Sequence, residues 1–324
     1  MSIEILGTDG MTEEAKQFYD MTLLSVAEQN LIYYRYGEKK PIPARGGRSI
    51  EFRRFEKITI TAGSYLLTEG TPPTETQATV SVVDATVSQY GQFSKISDML
   101  ETQAIDPIVA EFSKKYGIAM AEGIDILIRD VVDAGTTIQY ADSATVVGTS
   151  GTGAVGSGNY LDAAEILEAR RTLKRANARE VEDGKYICII HPDNAKDLLE
   201  DADIFSTFKD AYQRGADNPL ATGVLGDWMG VRFVETTNLT VNSSYGMSGA
   251  DVYEVVMLGA EAYAVTELNS MSSRVIVHPR GTGGHSDPLE QYSTVGWKAA
   301  LGSAILNQDW LVVIMCASSR SDAA

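Results

Sequence analysis

The sequence predicts an α+β fold. Three observations point to it. Residues 48 to 61 and 78 to 97 read as two long strands, Asp106 to Asp133 carry one sustained helical stripe, and the remainder mixes short helices with apolar strand-like runs and shows no internal repeat. The 324 residues are enough for two domains or one elaborated domain, and a 44% hydrophobic, 22% charged composition supports a sizeable core. The formal net charge of -17 argues against non-specific binding of nucleic acid by the bulk surface, so a phosphate-rich partner needs a local basic patch.

The acidic N-terminus "MSIEILGTDGMTEEA" lacks the apolar region of a signal peptide, and no run approaches 18 uncharged apolar residues, so neither secretion nor a membrane span is expected. Residues 12 to 36 predict an amphipathic helix with Thr12 as N-cap and Phe18, Leu24 and Leu31 on its apolar side; "KKPIPARGG" ends it. In "RSIEFRRFEKITIT", Ile50, Phe52, Ile58 and Ile60 share one parity, and Glu51, Arg53, Lys57 and Thr59 the other, as in a half-buried strand. "LTEGTPPTETQ" is a turn region, and "ATVSVVDATVSQYGQFSKIS" is the second strand. Such a two-stranded ribbon is marginal alone in water. No third strand lies nearby in sequence, so a neighbouring subunit is expected to supply its support.

The helix from Asp106, its N-cap, begins with Pro107 at the first helical position and places Ile108, Phe112, Ala119, Ile124, Leu127 and Val131 on one stripe. Gly135 stands where the C-terminal glycine is expected. After a polar, glycine-rich stretch, Asp162 and Glu165 form a D-x-x-E start for a helix whose second half is basic. A strand at 186 to 190, a short helix at 194 to 200 and an irregular region to about 225 follow. "GVRFVETTNL", "DVYEVVMLGAEAYAV", "SRVIVHPRG" and "DWLVVIMCAS" read as strands, while "TVGWKAALGSAIL" fits either strand or helix.

The motifs offer little chemistry. "GTGAVG" is a literal G-x-G-x-x-G at Gly151, Gly153 and Gly156, with Glu180 near the place of a ribose ligand. A dinucleotide cradle needs its helix to start inside the motif, so that free amides meet the pyrophosphate. Here the helix starts six residues beyond Gly156 and is capped by a carboxylate, so a surface loop is the better reading. His278 and His285 lack zinc spacing, and "HPDNAKDLL" is explained by Asp193 capping a helix rather than by a catalytic His191–Asp193 pair. Cys188 and Cys316 lie in apolar runs without C-x-x-C and are expected as buried thiols. No catalytic, cofactor-binding or metal residue is assigned, and no cofactor is expected.

One cluster stands out: Arg45, Arg48, Arg53 and Arg54 fall within ten residues of an acidic chain, with Glu69 in the turn beyond. It reads as a solvated strand face, as a contact with carboxylates on a neighbouring copy, or, more weakly, as a nucleic-acid contact.

Taken in order, an arm, a long ribbon, a spine helix and a later α/β part ending in a strand resemble the Hong Kong 97 fold of tailed-bacteriophage major capsid proteins. The wording "RGGRSIEFRRFE", "LTEGTPP", "VSQYGQFSKISDML", "TLKRANA", "IIHPDNAKDLL", "WMGVRFVETTNL" and "DPLEQYSTVGWKAALGSAILN" resembles the N4-like podovirus major capsid family, over about residues 44 to 316. The resemblance implies an N-terminal arm at 1–43, an extended loop at 44–92 that lies over the adjacent subunit, and a peripheral domain at 93–159 with the spine helix at 106–134. It implies an axial domain at 160–270, a peripheral return at 271–307 and an axial terminal strand and tail at 308–324. The function it implies is structural and non-enzymatic: self-assembly into pentamers and hexamers of an icosahedral shell around double-stranded DNA, without sequence-specific contacts. The implied setting is the virion capsid, assembled in the bacterial cytoplasm with a separate scaffolding protein, a portal and a possible decoration protein. No lysine–asparagine pair of the self-cross-linking relatives is matched. An encapsulin-type nanocompartment shell and an NAD-dependent enzyme remain as alternatives.

If the glycine loop is no cradle, Gly151→Ala with Gly153→Ala leaves particle yield close to the parent's. Saturable NAD binding by the parent, lost in the double variant, would contradict this.

Overall fold

The computed structural model describes residues 31–43, 45–56, 58, 69–70, 77–103, 108–141, 155–156, 158–201, 226–242, 251–268, 273–282 and 288–319. Within them two sheets share one long helix. Of the helix predicted over 12 to 36, the described part is α1 (Ile32–Tyr36); Thr12, Phe18 and Leu24 lie outside the described residues.

The first sheet is built on the 14-residue strand β13 (Tyr292–Ile305). "TVGWKAALGSAIL" is therefore strand rather than helix, and its alternation shows why. Val295, Trp297, Ala299 and Leu301 point to one face and pack in the apolar interior. Gly296, Ala300, Gly302 and Ala304 occupy the other face, where a close neighbour is admitted. β13 pairs with β11 (Tyr263–Glu267), β12 (Arg274–His278) and β4 (Ser88–Ser97), and β1 (Glu38–Lys39) runs parallel to β11.

The spine helix α3 (Ile108–Asp133) spans 26 residues, about 39 Å at 1.5 Å per residue, and covers the large-residue face of β13. Asp106 and Pro107 lie outside the described residues. Its buried side is not the expected stripe. Of Ile108, Phe112, Ala119, Ile124, Leu127 and Val131 only Ile124 is buried, whereas Ser113, Gly117, Met120, Ala121, Asp125, Ile128 and Val132 face inward. Small residues let the helix approach closely, the buried Ser113 donates to the Val109 carbonyl one turn back, and the buried Asp125 accepts from the amide of Tyr33 on α1, so a count of apolar residues selects a face rotated from the true one.

The ribbon consists of β2 (Ser49–Phe55) and β3 (Val80–Thr86), paired antiparallel from Ser49↔Thr86 to Phe55↔Val80. The second long strand expected at 78 to 97 breaks at Val87 and changes partner. Its first half stays in the ribbon, while β4 pairs with β13 of the same chain through ten residues, from Ser88↔Leu301 to Ser97↔Tyr292. The ribbon thus has support within its own subunit, which corrects the expectation that only a neighbour supplies it. Phe52 and Ala85 pack on Ala264 and Ala304, and Val87 packs with Ile42 and Ala300. At Gly302 an added Cβ would stand 2.4 Å from the Thr86 carbonyl oxygen, so the ribbon backbone rests directly on that glycine. The short helix α2 (Asp98–Gln103) follows β4.

The second sheet has seven strands. β10 (Val252–Leu258) lies between β14 (Leu311–Cys316) and β6 (Tyr186–Ile190), all three buried along their full length. β5 (Ile138–Tyr140), β7 (Asp227–Trp228), β8 (Val231–Glu235) and β9 (Val241–Asn242) complete it. The predicted helices appear as α4 (Ala163–Arg175) and α5 (Pro192–Glu200). "DVYEVVMLGAEAYAV" supplies one strand to each sheet, so β11 belongs to the first sheet although it lies within residues 160–270.

Two expectations follow. Ile128→Ala empties a fully buried site and costs about 2–5 kcal/mol, read as a fall in the urea midpoint, whereas the half-buried Leu127 tolerates alanine better. Gly302→Val forces the ribbon off its seat and costs about 1–3 kcal/mol, with faster hydrogen exchange in 49–55 and 80–86.

Candidate subunit interface

The five residues singled out in sequence do not form one cluster. Arg45 sits in an exposed turn at φ 68°. Arg48 is turned back on its own chain: Nε donates to the Val87 carbonyl at 2.8 Å and Nη2 to Ser88 Oγ at 3.2 Å, where β3 passes into β4. Arg53 pairs with Glu51 at 3.1 Å and Arg54 with Glu56 at 2.7 Å. Glu56 also accepts from Ser81 Oγ; this hydrogen bond, and then Arg54, hold its carboxyl below the usual range. Glu69 is exposed and forms no ion pair with the arginines among the described residues.

The ribbon register sorts these groups by face, because directly opposed residues share a side. Ile50, Phe52, Val83 and Ala85 turn toward the first sheet. Glu51 stands opposite Asp84, Arg53 opposite Val82, and Phe55 opposite Val80 on the outer side. Two carboxylates side by side repel, and Arg53 bonded to Glu51 offsets this. Farther along, Phe55 is 78% exposed, beside exposed Val80 and Val82; Ile58 is exposed as well, against the parity expectation. This apolar strip lies outside the sequence-predicted contact residues, although "TVSVV" carries its period-two signal.

A second uncovered surface lies on the same side of β13, beyond the ribbon. Phe93 stands opposite Gly296, which stands opposite Ile276; Lys298 stands opposite Arg274, and Thr294 is flanked by Lys95 and His278. β4, β12 and β13 contain Lys95, Arg274 and Lys298 but no Asp or Glu. The register brings all three cations to one face, which holds a groove of about 480 Å³ that Lys298 lines and where Phe93 is 66% exposed. The added Cβ that would meet Phe93 Cβ at 2.6 Å explains glycine at 296.

The enzyme-like motifs resolve into structural contacts. Gly151 and Gly153 lie outside the described residues; the amide of Gly156 donates to Asn159 Oδ1 at 2.8 Å. At the N-terminus of α4, Asp162 accepts from the amide of Glu165 at 3.0 Å and Asp201 from that of Ala163 at 2.9 Å. Two carboxylates of the chain itself therefore take the amides that a phosphate would need. In "HPD" the cap is His191 rather than Asp193: its Nδ1 accepts from the amide of Asp193 at 3.2 Å. Asp193 lies 3.0 Å from that nitrogen and accepts from Tyr253 Oη at 3.0 Å, a tie from α5 to β10. His278 is exposed on β12, and His285 lies outside the described residues. Both cysteines are buried and unpaired, and burial pushes both thiols up. Among the described residues no group of three His, Cys, Asp or Glu is placed to hold a metal ion, and no helix is long and apolar enough to cross a membrane.

Comparison with solved structures gives the same architecture. The chain is similar to the capsid protein of the cyanophage P-SCSP1u, with a TM-score of 0.66, 16% identity and 89% of each chain covered. It is similar to that of Ralstonia phage GP4, with a TM-score of 0.65, 14% identity and 88% of each chain covered. The head protein of Helicobacter pylori bacteriophage KHP40 gives a TM-score of 0.65 at 13% identity, over 86% of this chain and 88% of that one. At such identities the likeness is one of fold, the Hong Kong 97 type. No curated protein matches the chain in sequence. The profile of the phage capsid protein family, however, matches residues 80–314 of the 324, from the second ribbon strand to the terminal strand, and the chain belongs to that family.

Proposed function

We propose that many copies of this chain assemble, as the major capsid protein, into pentamers and hexamers of an icosahedral shell that encloses double-stranded DNA. The observation that carries this reading is the ribbon. Its inner face is satisfied by its own subunit, while its outer face leaves Phe55, Val80 and Val82 in water beside Glu51, Arg53 and Asp84. Exposed apolar groups among paired charges suit a contact that forms only when another copy arrives. The cationic groove around Phe93 is a second such surface, and its charge complements a chain of net charge -17.

In this reading the spine helix and first sheet form the peripheral domain, and the seven-stranded sheet with α4 and α5 forms the axial domain. Arg45, Arg48, Arg53, Arg54 and Glu69 lie on the extended loop, with Arg53 and Arg54 exchanging their internal partners for carboxylates of a neighbouring copy. The motif wording supports a place among the N4-like podoviruses. Assembly then takes place in the bacterial cytoplasm, on a separate scaffolding protein, with a portal at one vertex and room for a decoration protein. The family match gives no support to a nanocompartment shell or a nicotinamide enzyme.

Charge reversal tests the interface. Arg53→Glu with Arg54→Glu breaks exposed internal ion pairs and the exposed 3.4 Å bond from Arg54 Nη1 to the Leu306 carbonyl, all of which contribute little to folding. The monomer therefore keeps its circular dichroism and melting behaviour, while sedimentation shows particles lost. Normal assembly of the double variant would remove these residues from the contact.

A further inference from the structure

The second half of the spine helix carries Asp125, Arg129 and Asp133 at four-residue spacing, and all three turn into the protein. Asp133 stands where the helix meets two other elements. Its Oδ2 accepts from Thr240 Oγ1 at 2.6 Å, on the connector between β8 and β9. Its Oδ1 is buried and has no partner, and the side chain is only 7% exposed. Among the described residues the single nearby cation, Arg129, is divided among other acceptors. Arg129 Nη1 donates to the Asn238 carbonyl at 2.9 Å and Nη2 to Asp130 Oδ1 at 2.6 Å, leaving Nε 3.8 Å from Asp133. The buried Glu254 approaches the same guanidinium from β10. Asp133 is thus faced by Arg129 and Asp130 from its own helix, by Glu254 from β10, by Thr240 from the connector and by Tyr33 from α1. Three carboxylates share one guanidinium, and two of the three are removed from water. Such an excess of buried negative charge is relieved by a proton.

We propose that Asp133 is a proton-operated latch, which holds the end of the spine helix against the 236–240 connector and β10 when protonated and loosens that junction when the proton leaves.

Burial raises the Asp133 carboxyl from the ordinary aspartate range to about 7; the Thr240 hydroxyl and Arg129 oppose the rise, and Glu254 and Asp130 add to it. The folded chain therefore keeps a proton that the unfolded chain releases near pH 4. Stability contributed at this site increases as pH falls through 7, and the full penalty of the bare carboxylate is present above 7. Asp125, raised by burial to about 6, adds its own slope up to that pH, so Asp133 is distinguished from it above about 6. The junction joins the helix that covers the first sheet to the second sheet, so its tightening acts on how the two halves of a subunit are held together. This inference does not depend on the assembly reading, since the latch lies within one subunit.

The test is thermal unfolding of the full-length subunit between pH 6 and 8, with hydrogen exchange of residues 236–240. Asp133→Asn imitates the protonated form. The parent's melting temperature is expected to fall as pH rises toward 7 and to level off above it. Asp133→Asn is expected to stay flat and to melt above the parent at pH 8, with slower exchange in the connector once intrinsic rates are corrected. Glu254→Gln removes a charge that raises Asp133, so the parent-like transition moves to lower pH. A parent-like slope in Asp133→Asn overturns the proposal, as does an unmoved transition in Glu254→Gln, which decides alone should Asp133→Asn fail to fold.

Discussion

The alternation of large and small side chains along β13 is the constraint on which the rest depends. Val295, Trp297, Ala299 and Leu301 give the spine helix its floor, and Ala300, Gly302 and Ala304 give the ribbon its seat. A shift of one residue would reverse both faces at once, placing Trp297 under the ribbon and glycine under the helix. Pairing with β4 on one side and with β11 and β12 on the other makes such a slip a loss of three ladders. The register of one strand therefore fixes where the helix lies, where the ribbon leaves the body and which cations meet on the uncovered face.

The same strand explains why the exposed surfaces are modest. Most apolar area of the ribbon root is used within the subunit, leaving Phe55, Val80 and Val82 on one surface and Phe93 on another. Full burial of one such side chain contributes about 1.5–3 kcal/mol, against about 4–15 kcal/mol lost in translational and rotational freedom on association. One contact of this size barely holds a pair of copies together. Several per subunit, closed around a symmetric shell, hold firmly while each stays weak enough to correct a misplaced copy.

Legibility in the sequence follows the range of the interactions. The Asp162–Glu165 start of α4 and the buried strands β6 and β14 were readable, because a local cap or a continuous apolar run specifies each. The spine helix was readable as a helix, but its inward face was not, since Ser113, Gly117 and Asp125 lie inside while Phe112 lies outside. The break at Val87 leaves no local mark: both halves alternate as strand, and only the pairing of Ser88 with Leu301 separates them. The convergence of Lys95, Arg274 and Lys298 is equally silent until the ladders are known. His191 takes the cap because α5 starts at Pro192, two residues earlier than the sequence suggests; Asp193 is then already in the first turn and meets Tyr253, a partner sixty residues distant. The arginine cluster was legible as a run of charge and not as a geometry, since its internal partners Glu51, Glu56 and Val87 are fixed by the ribbon itself.

The buried carboxylate at Asp125 raises a different question, since an apolar residue in its place would avoid the cost of desolvation. Its Oδ1 accepts from the amides of Tyr33 at 2.8 Å and Tyr34 at 3.3 Å, the first turn of α1. Those amides have no partner within so short a helix and would be costly to bury unmet. A leucine at 125 would fill the space and leave them unsatisfied, whereas the carboxylate meets both from one atom. The hydroxyl of Tyr263 in turn donates to the Tyr33 carbonyl, so donor and acceptor groups of one α1 residue are fixed from the spine helix and from β11 together. Apolar packing alone would let α1 slide along the spine helix; directional bonds on both sides of Tyr33 fix where it lies. The charge inside this helix is thus explained by the position it imposes on the chain that joins the body from the N-terminal side.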